Sequence, residues 1–144
     1  MKVLLDTNVI LDALQERQPF DIEAKEILKR SQEDSKFICL FTANAATDIF
    51  YLYSKARDIN SAKAALEFLF MAYDVVSVTH EDCIVALSLS IDDFEDALVV
   101  TCAQKAEADY IVSRDKEFLK ADSPVRVISP PELLTELVLG DTTK

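Results

Sequence analysis

Val3-Leu4-Leu5-Asp6-Thr7-Asn8-Val9-Ile10-Leu11-Asp12 is the stretch on which the reading of this chain turns. Three apolar residues run directly into an Asp-Thr-Asn triplet, and an apolar pattern resumes behind it. A short apolar run without polar alternation predicts a strand buried on both faces, as in parallel sheets. The triplet then marks where the strand ends and a helix begins. In open α/β sheets that carboxyl end is where ligands bind. An acid directly behind a buried strand is costly unless it is paired or bound, which makes Asp6 the first candidate site residue.

The bulk composition narrows the function classes. A chain of 144 residues, half of them hydrophobic, predicts one domain with one sizeable core, placed at residues 1–140 with a polar end at 141–144. No apolar run is long enough to span a membrane. A basic segment followed by a cleavable apolar stretch is not visible at the N-terminus, so the expected location is cytoplasmic. The cysteines, Cys39, Cys83 and Cys102, are widely spaced among apolar neighbours and read as reduced core thiols. Without a C-x-x-C pair, a structural zinc site is not expected. His80 is the sole histidine; in Thr79-His80-Glu81-Asp82 it reads as a first-turn residue behind a Thr79 cap, not as a catalytic base. The single glycine, Gly140, excludes the glycine-rich phosphate loops of dinucleotide and P-loop proteins. A net charge of −11 is a poor footprint for passive nucleic-acid binding. It suits a site that gathers carboxylates around a metal, or a basic partner.

Working outward, short apolar runs at 37–40, 73–78, 109–113 and 125–128 predict further strands. Helical spacing predicts helices at 9–15, 21–33, 42–55, 60–70, 79–89, 92–106 and 130–139, with a short helix at 116–120 that Asp115 would cap. In the 60–70 helix, Asn60 or Ser61 is the expected cap, and Ala64, Ala65, Phe68 and Leu69 the expected core stripe. Strands alternating with helices imply right-handed crossovers. The expected fold is therefore α/β, a three-layer α/β/α sandwich around a central parallel sheet of four to five strands.

This architecture gathers acids. Asp6 follows the first strand, and Asp115 follows the fourth in a similar local pattern, Ser113-Arg114-Asp115. Asp96 lies one turn into the helix before that strand, and Asp48 near the start of the helix after the second. Carboxylates sharing a pocket cannot all stay ionised without a counter-charge. A hard divalent cation, magnesium or manganese, meets that need with oxygen ligands and retained waters. Such an ion lowers the pKa of bound water and stabilises charge on a phosphoryl group. The plainer reading is that several acids are helix caps: Asp92 with Glu95, or Asp93 with Asp96, fits a capping box. Asp12 is expected to be solvated.

At this point Leu4-Leu5-Asp6-Thr7-Asn8-Val9, Asp93-Phe94-Glu95-Asp96-Ala97-Leu98 with Ala103 downstream, and Ala108-Asp109-Tyr110-Ile111-Val112-Ser113-Arg114-Asp115 resemble the PIN domain in order and spacing. The resemblance runs from Met1 to about Ile128. It implies a single α/β/α domain and a metal-dependent ribonuclease, similar to the VapC-type toxins that a partner antitoxin neutralises. Carried over, Asp6, Asp96 and Asp115 match metal-holding acids. Asn8 matches the residue that orients the first of them, and Ser113 the usual Thr/Ser partner. Asp48 stands where the family commonly has Glu, one methylene longer. Asp93 is a further supporting acid, one helical turn from Asp96.

The resemblance implies a Mg²⁺- or Mn²⁺-dependent endoribonuclease that leaves a 5′-phosphate and a 3′-hydroxyl. Arg114, Lys116 and Arg17 are the candidates for holding the RNA backbone. An alternative is a PIN-like interaction module with a weakened site, which the shorter Asp48 would permit. A phosphatase of the haloacid dehalogenase type would need an Asp at the position of Asn8. Apolar residues Leu52, Phe68, Phe70 and Met71 read as core, or else as a surface for a homodimer or an antitoxin segment.

Overall fold

A computed structural model describes residues 1–142. Thr143 and Lys144, the last residues of the polar end expected at 141–144, lie outside the described residues.

The apolar run at the start of the chain forms β1 (Lys2–Leu5), with Val3, Leu4 and Leu5 all buried. It is the central strand. The remaining strands are β2 (Ile38–Thr42), β3 (Asp74–Val76), β4 (Tyr110–Val112) and β5 (Val127–Ile128), in the spatial order β3-β2-β1-β4-β5. Every pairing is parallel: Val3 lies opposite Cys39 on one side and Tyr110 on the other, and Leu5 opposite Val112. The chain first builds outward from β1 to β2 and β3, then returns past β1 to add β4 and β5. The sheet therefore has a topological switch point between β1 and β4, the place where open α/β sheets form their ligand crevice.

Helices cover both faces. Between β1 and β2 lie α1 (Thr7–Leu14) and α2 (Asp21–Glu33), and between β2 and β3 lie α3 (Ala43–Ala56) and α4 (Ile59–Ala72). Between β3 and β4 come α5 (His80–Leu87) and α6 (Phe94–Lys105), then α7 (Lys116–Lys120) before β5 and α8 (Pro130–Thr142) after it. The period of two along a strand divides the core. Val3 and Leu5 join Leu11, Ile27, Ile49, Leu69 and Leu133 on one face. Leu4 and Ile111 join Val100, Cys102, Ala103 and Phe118 on the other. This is the three-layer α/β/α fold expected from the sequence, with a five-stranded parallel sheet. Among the described residues, no helix is long and apolar enough to cross a membrane.

Several local expectations shift. The last helix runs through Gly140 to Thr142, beyond its expected end at 139. The cap of α4 is Asp58, whose side chain accepts from the Ser61 N–H at 2.8 Å, not Asn60 or Ser61. Its buried face is correspondingly Ala62, Leu66 and Leu69, leading to Tyr73, at i, i+4, i+7 and i+11. Of the expected stripe only Leu69 is fully buried; Ala64 is exposed and Phe68 is 47% exposed. Leu52, Phe70 and Met71 are exposed too, so these four residues are surface and not core. Thr79 does cap α5, in a reciprocal capping box with Asp82, and His80 is exposed. Cys39 and Cys102 are buried free thiols, and Cys83 is half-buried.

Candidate active site

At the switch point β1 ends in Asp6, whose backbone N–H still donates to the Val112 carbonyl at 2.9 Å, and whose side chain then caps α1. Asp93 caps α6 by accepting from the Asp96 N–H at 3.0 Å. Asp115 caps α7 by accepting from the Glu117 N–H at 3.0 Å. The plainer expectation of helix caps thus holds for these acids. The helix starts they cap converge on one hollow at the carboxyl end of the sheet, and the positive ends of helix dipoles favour negative charge there.

The hollow has a volume of about 310 Å³, and its walls include Asp6, Asp48, Asp93, Glu95, Asp96 and Asp115 together with Asn8 and Arg17. Asp93, Asp96 and Asp115 also line an adjoining hollow of about 500 Å³, so the acids stand along a continuous cleft. Asp48 is here, as expected from its position on α3. The structure thus brings together all four acids expected to be catalytic, and the supporting Asp93.

Asp6 is the most constrained of them, at 8% exposure. Its Oδ1 accepts from the Thr7 N–H at 2.9 Å. Its Oδ2 accepts from Ser113 Oγ at 2.8 Å and from Asn8 Nδ2 at 3.4 Å. Ser113, itself buried, accepts in turn from the Asp115 N–H at 3.1 Å. One hydroxyl at the end of β4 thereby fixes the acid at the end of β1 and the loop that carries Asp115. Asn8 and Ser113, the two residues expected beside Asp6, both contact its carboxylate.

The electrostatics are those of acids without enough cations. Burial pushes the Asp6 carboxyl above its ordinary range, in spite of the hydrogen bonds from Ser113 and Thr7. Asp96 is pushed up to about 7 by burial and then by the charges of Asp93, Asp6, Asp115 and Glu95. Glu95 is raised by burial and by Asp48, Asp6 and Asp93. Of the two capping pairs expected, Asp92 with Glu95 or Asp93 with Asp96, the structure shows the cap from Asp93 to the Asp96 N–H. Glu95 is therefore not taken up in a capping box; it lies in the first turn of α6 and lines the cleft. The acidic Asp92-Asp93-Phe94-Glu95-Asp96 run carried that signal, but not its register.

Among the described residues, no group of three His, Cys, Asp or Glu side chains is arranged as a ready-made metal cage. The donor set nonetheless fits a hard divalent cation. It is all oxygen, it carries unrelieved negative charge, and Asn8 Oδ1 is buried in the structure without a hydrogen-bond partner. Magnesium is bound through one or two carboxylates while it keeps several waters, so an open cleft suits it better than a closed cage.

Arg114 and Lys116 do not line the acidic cleft. Arg114 turns to Asp12, with Nε to Oδ2 at 2.6 Å and Nη2 to Oδ1 at 3.1 Å. Its guanidinium lies over the Phe20 ring at 4.2 Å. Asp12 is correspondingly not solvated: it is 1% exposed, with Arg17 at 3.9 Å as a second cation. Asp12 is not at the surface because residues 9–13 of α1 are all buried, and Arg114 and Arg17 supply its counter-charge. Of the three basic residues considered for RNA, Arg17 is the one on the cleft wall.

A family model described as PIN domain matches residues 2–117. The chain belongs to the PIN domain family. Comparison of this PIN domain with curated proteins finds no match. Among solved structures it is similar to VapC20 of Mycobacterium tuberculosis, described as a sarcin-ricin loop cleaving toxin, at 15% identity and a TM-score of 0.69, covering 84% of this chain and 95% of that one. It is similar to a toxin-antitoxin complex from Klebsiella pneumoniae at 17% identity and a TM-score of 0.66, covering 89% and 97%. VapBC2 of Rickettsia felis, solved with a promoter DNA fragment, gives 15% identity and a TM-score of 0.62, covering 90% and 98%. At these identities the likeness is one of fold.

Proposed function

We propose that this PIN domain is a divalent-metal-dependent endoribonuclease and the toxin of a toxin-antitoxin pair, with residues 1–140 acting as one cytoplasmic unit. The observation that carries the reading is the cleft at the switch point. A buried Asp6 is fixed there by Ser113, Asn8 and Thr7, facing five further acids and an acceptor oxygen without a partner.

In this reading Asp6, Asp96 and Asp115 would hold Mg²⁺ or Mn²⁺, with Asp48 and Glu95 lining the same cleft. When bound, the cation supplies Lewis-acid polarisation of a phosphodiester and a source of hydroxide at neutral pH. The residues of the chain do the rest. Ser113 and Asn8 keep Asp6 in one orientation, so that it loses little freedom on binding. Without a cation, Asp96 holds a proton near neutral pH, and that proton leaves its carboxyl as positive charge enters the cleft. The cleft extends past Asp93, Asp96 and Asp115, which gives a strand room on both sides of the acids. Arg17 offers a cation to a backbone phosphate at the cleft wall.

The exposed residues Leu52, Phe68, Phe70 and Met71 support a protein partner, a second copy of the chain or an antitoxin segment. The toxin-antitoxin complexes among the similar structures support the antitoxin.

Cleavage of a mixed-sequence RNA by the purified protein tests the activity. Mn²⁺ or Mg²⁺ should support cleavage, EDTA should abolish it, and Asp6→Asn should lower it by about a hundredfold or more. Cleavage that survives both EDTA and Asp6→Asn overturns the mechanism.

A further inference from the structure

A second cavity, of about 400 Å³, opens beside the acidic cleft and is not part of it. Its walls are mostly apolar: Phe20 from the turn before α2, Leu119 from α7, and Pro130 and Pro131 at the start of α8. Polar atoms come from Arg114, Lys116 and Glu23. Phe20 is 44% exposed. One face of its ring rests on the Arg114 guanidinium, which Asp12 holds in place through two hydrogen bonds. The aromatic ring is thus braced from behind by a half-buried ion pair.

The segment Ser113-Arg114-Asp115-Lys116 links the two cavities. Ser113 anchors Asp6, and Asp115 faces the acidic cleft, while Arg114 and Lys116 line the apolar cavity. Consecutive residues are about 3.8 Å apart along the backbone. A single strand that follows this segment away from the acids meets the apolar cavity next.

We propose that this cavity is a nucleobase subsite for single-stranded RNA, in which an unstacked base lies against Phe20 and the prolines. The inference rests on the nuclease reading for its substrate class. Lys116 at the exposed rim takes the adjoining phosphate. Glu23 offers an acceptor to the exocyclic amino group of a base, as carboxylates do for cytosine. Unpaired bases on aromatic side chains, with cations tracking the backbone, are the recurrent form of single-strand recognition. The occupant is a base and not a partner's peptide because the cavity is compact, cation-rimmed and adjoins the acids.

The test measures binding in EDTA, where cleavage does not occur, so its failure is distinct from failure of the nuclease reading. Short oligocytidylate is titrated into the full-length protein, with the same ribose-phosphate chain lacking bases as the control, and the methyl resonances of Leu119 are followed by NMR. Oligocytidylate should shift Leu119 and bind about tenfold more tightly than the abasic chain, the worth of one stacked base. Phe20→Leu should erase that tenfold preference, and Phe20→Tyr, which keeps the ring, should restore it. In cleavage assays Phe20→Leu should raise KM more than it lowers kcat. Equal binding of the abasic chain, or Leu119 resonances that do not move, overturns the proposal and leaves a protein segment as the occupant. The nuclease reading would stand or fall on the EDTA and Asp6→Asn controls alone.

Discussion

Two buried acids stand on the same helix, and their surroundings could hardly differ more. Asp6 caps the start of α1 and Asp12 lies near its end, at 8% and 1% exposure. Asp12 meets a guanidinium in two-point contact and a second one at 3.9 Å. Asp6 meets a hydroxyl, an amide and a backbone N–H, and looks out on other acids. A buried carboxylate supplied with its counter-charge by the fold is a structural element. One that is oriented by neutral donors and left short of cations is the kind of group on which the proposed cation site rests.

The largest expected effect tests the structural half of that contrast. Asp12→Ala strands Arg114 against Phe20 without its partner, and should cost about 2–4 kcal/mol of stability, somewhat softened by partial exposure of the guanidinium. Urea denaturation measures it. Asp6→Asn in the same assay should leave stability unchanged or higher, since it removes a charge that burial disfavours. If the two variants lose the same stability, the distinction collapses.

A smaller effect is expected at Ser113. Ser113→Ala removes the donor to Asp6 and the acceptor for the Asp115 N–H, and should lower Mn²⁺ affinity and cleavage by about 10–100-fold with the fold intact. Ser113→Thr should recover most of it. Calorimetric titration with Mn²⁺ separates the affinity from the turnover.

The smallest effect is a pH dependence. Asp96 has a folded pKa of about 7 against an ordinary value of 3.8. Between those values the folded state binds more protons than the unfolded one, so stability should rise as pH falls from about 7 towards about 4, in the absence of metal. Falling net negative charge acts in the same direction. Asp96→Asn therefore isolates the contribution: its stability profile should be flatter across that window, and an unchanged slope would contradict the assignment.

Most of the fold was legible because it rests on patterns of short range. Val3-Leu4-Leu5 has no polar alternation, and only a doubly covered strand accommodates that. The acids at Asp6, Asp96 and Asp115 were legible because each sits at an element boundary, and boundaries at one sheet edge converge. Glu95 was not, because Asp92 and Asp93 are equally good caps by sequence, and a box with Asp92 would have turned Glu95 back onto the backbone. The face of α4 failed for the same reason at Asp58. Arg114 and Asp12 were misread because their contact spans 102 residues, and nothing local to either residue announces it. The spacing of apolar residues likewise could not tell a core Phe68 from a surface one.

The reversal of strand order has a consequence in time. The hydroxyl that holds Asp6 arrives 107 residues after it along the chain. During synthesis the strand that bears the first acid can pair with β2 and β3 long before β4 exists. Pairings of such sequence separation form late, since the loop they close must be ordered first. A growing chain thus carries Asp6 with neither its clasp nor its fellow acids Asp96 and Asp115. The cleft is complete only once residues as far apart as Asp6 and Asp115 are both in place, so any nuclease activity it supports belongs to the finished fold and not to its fragments.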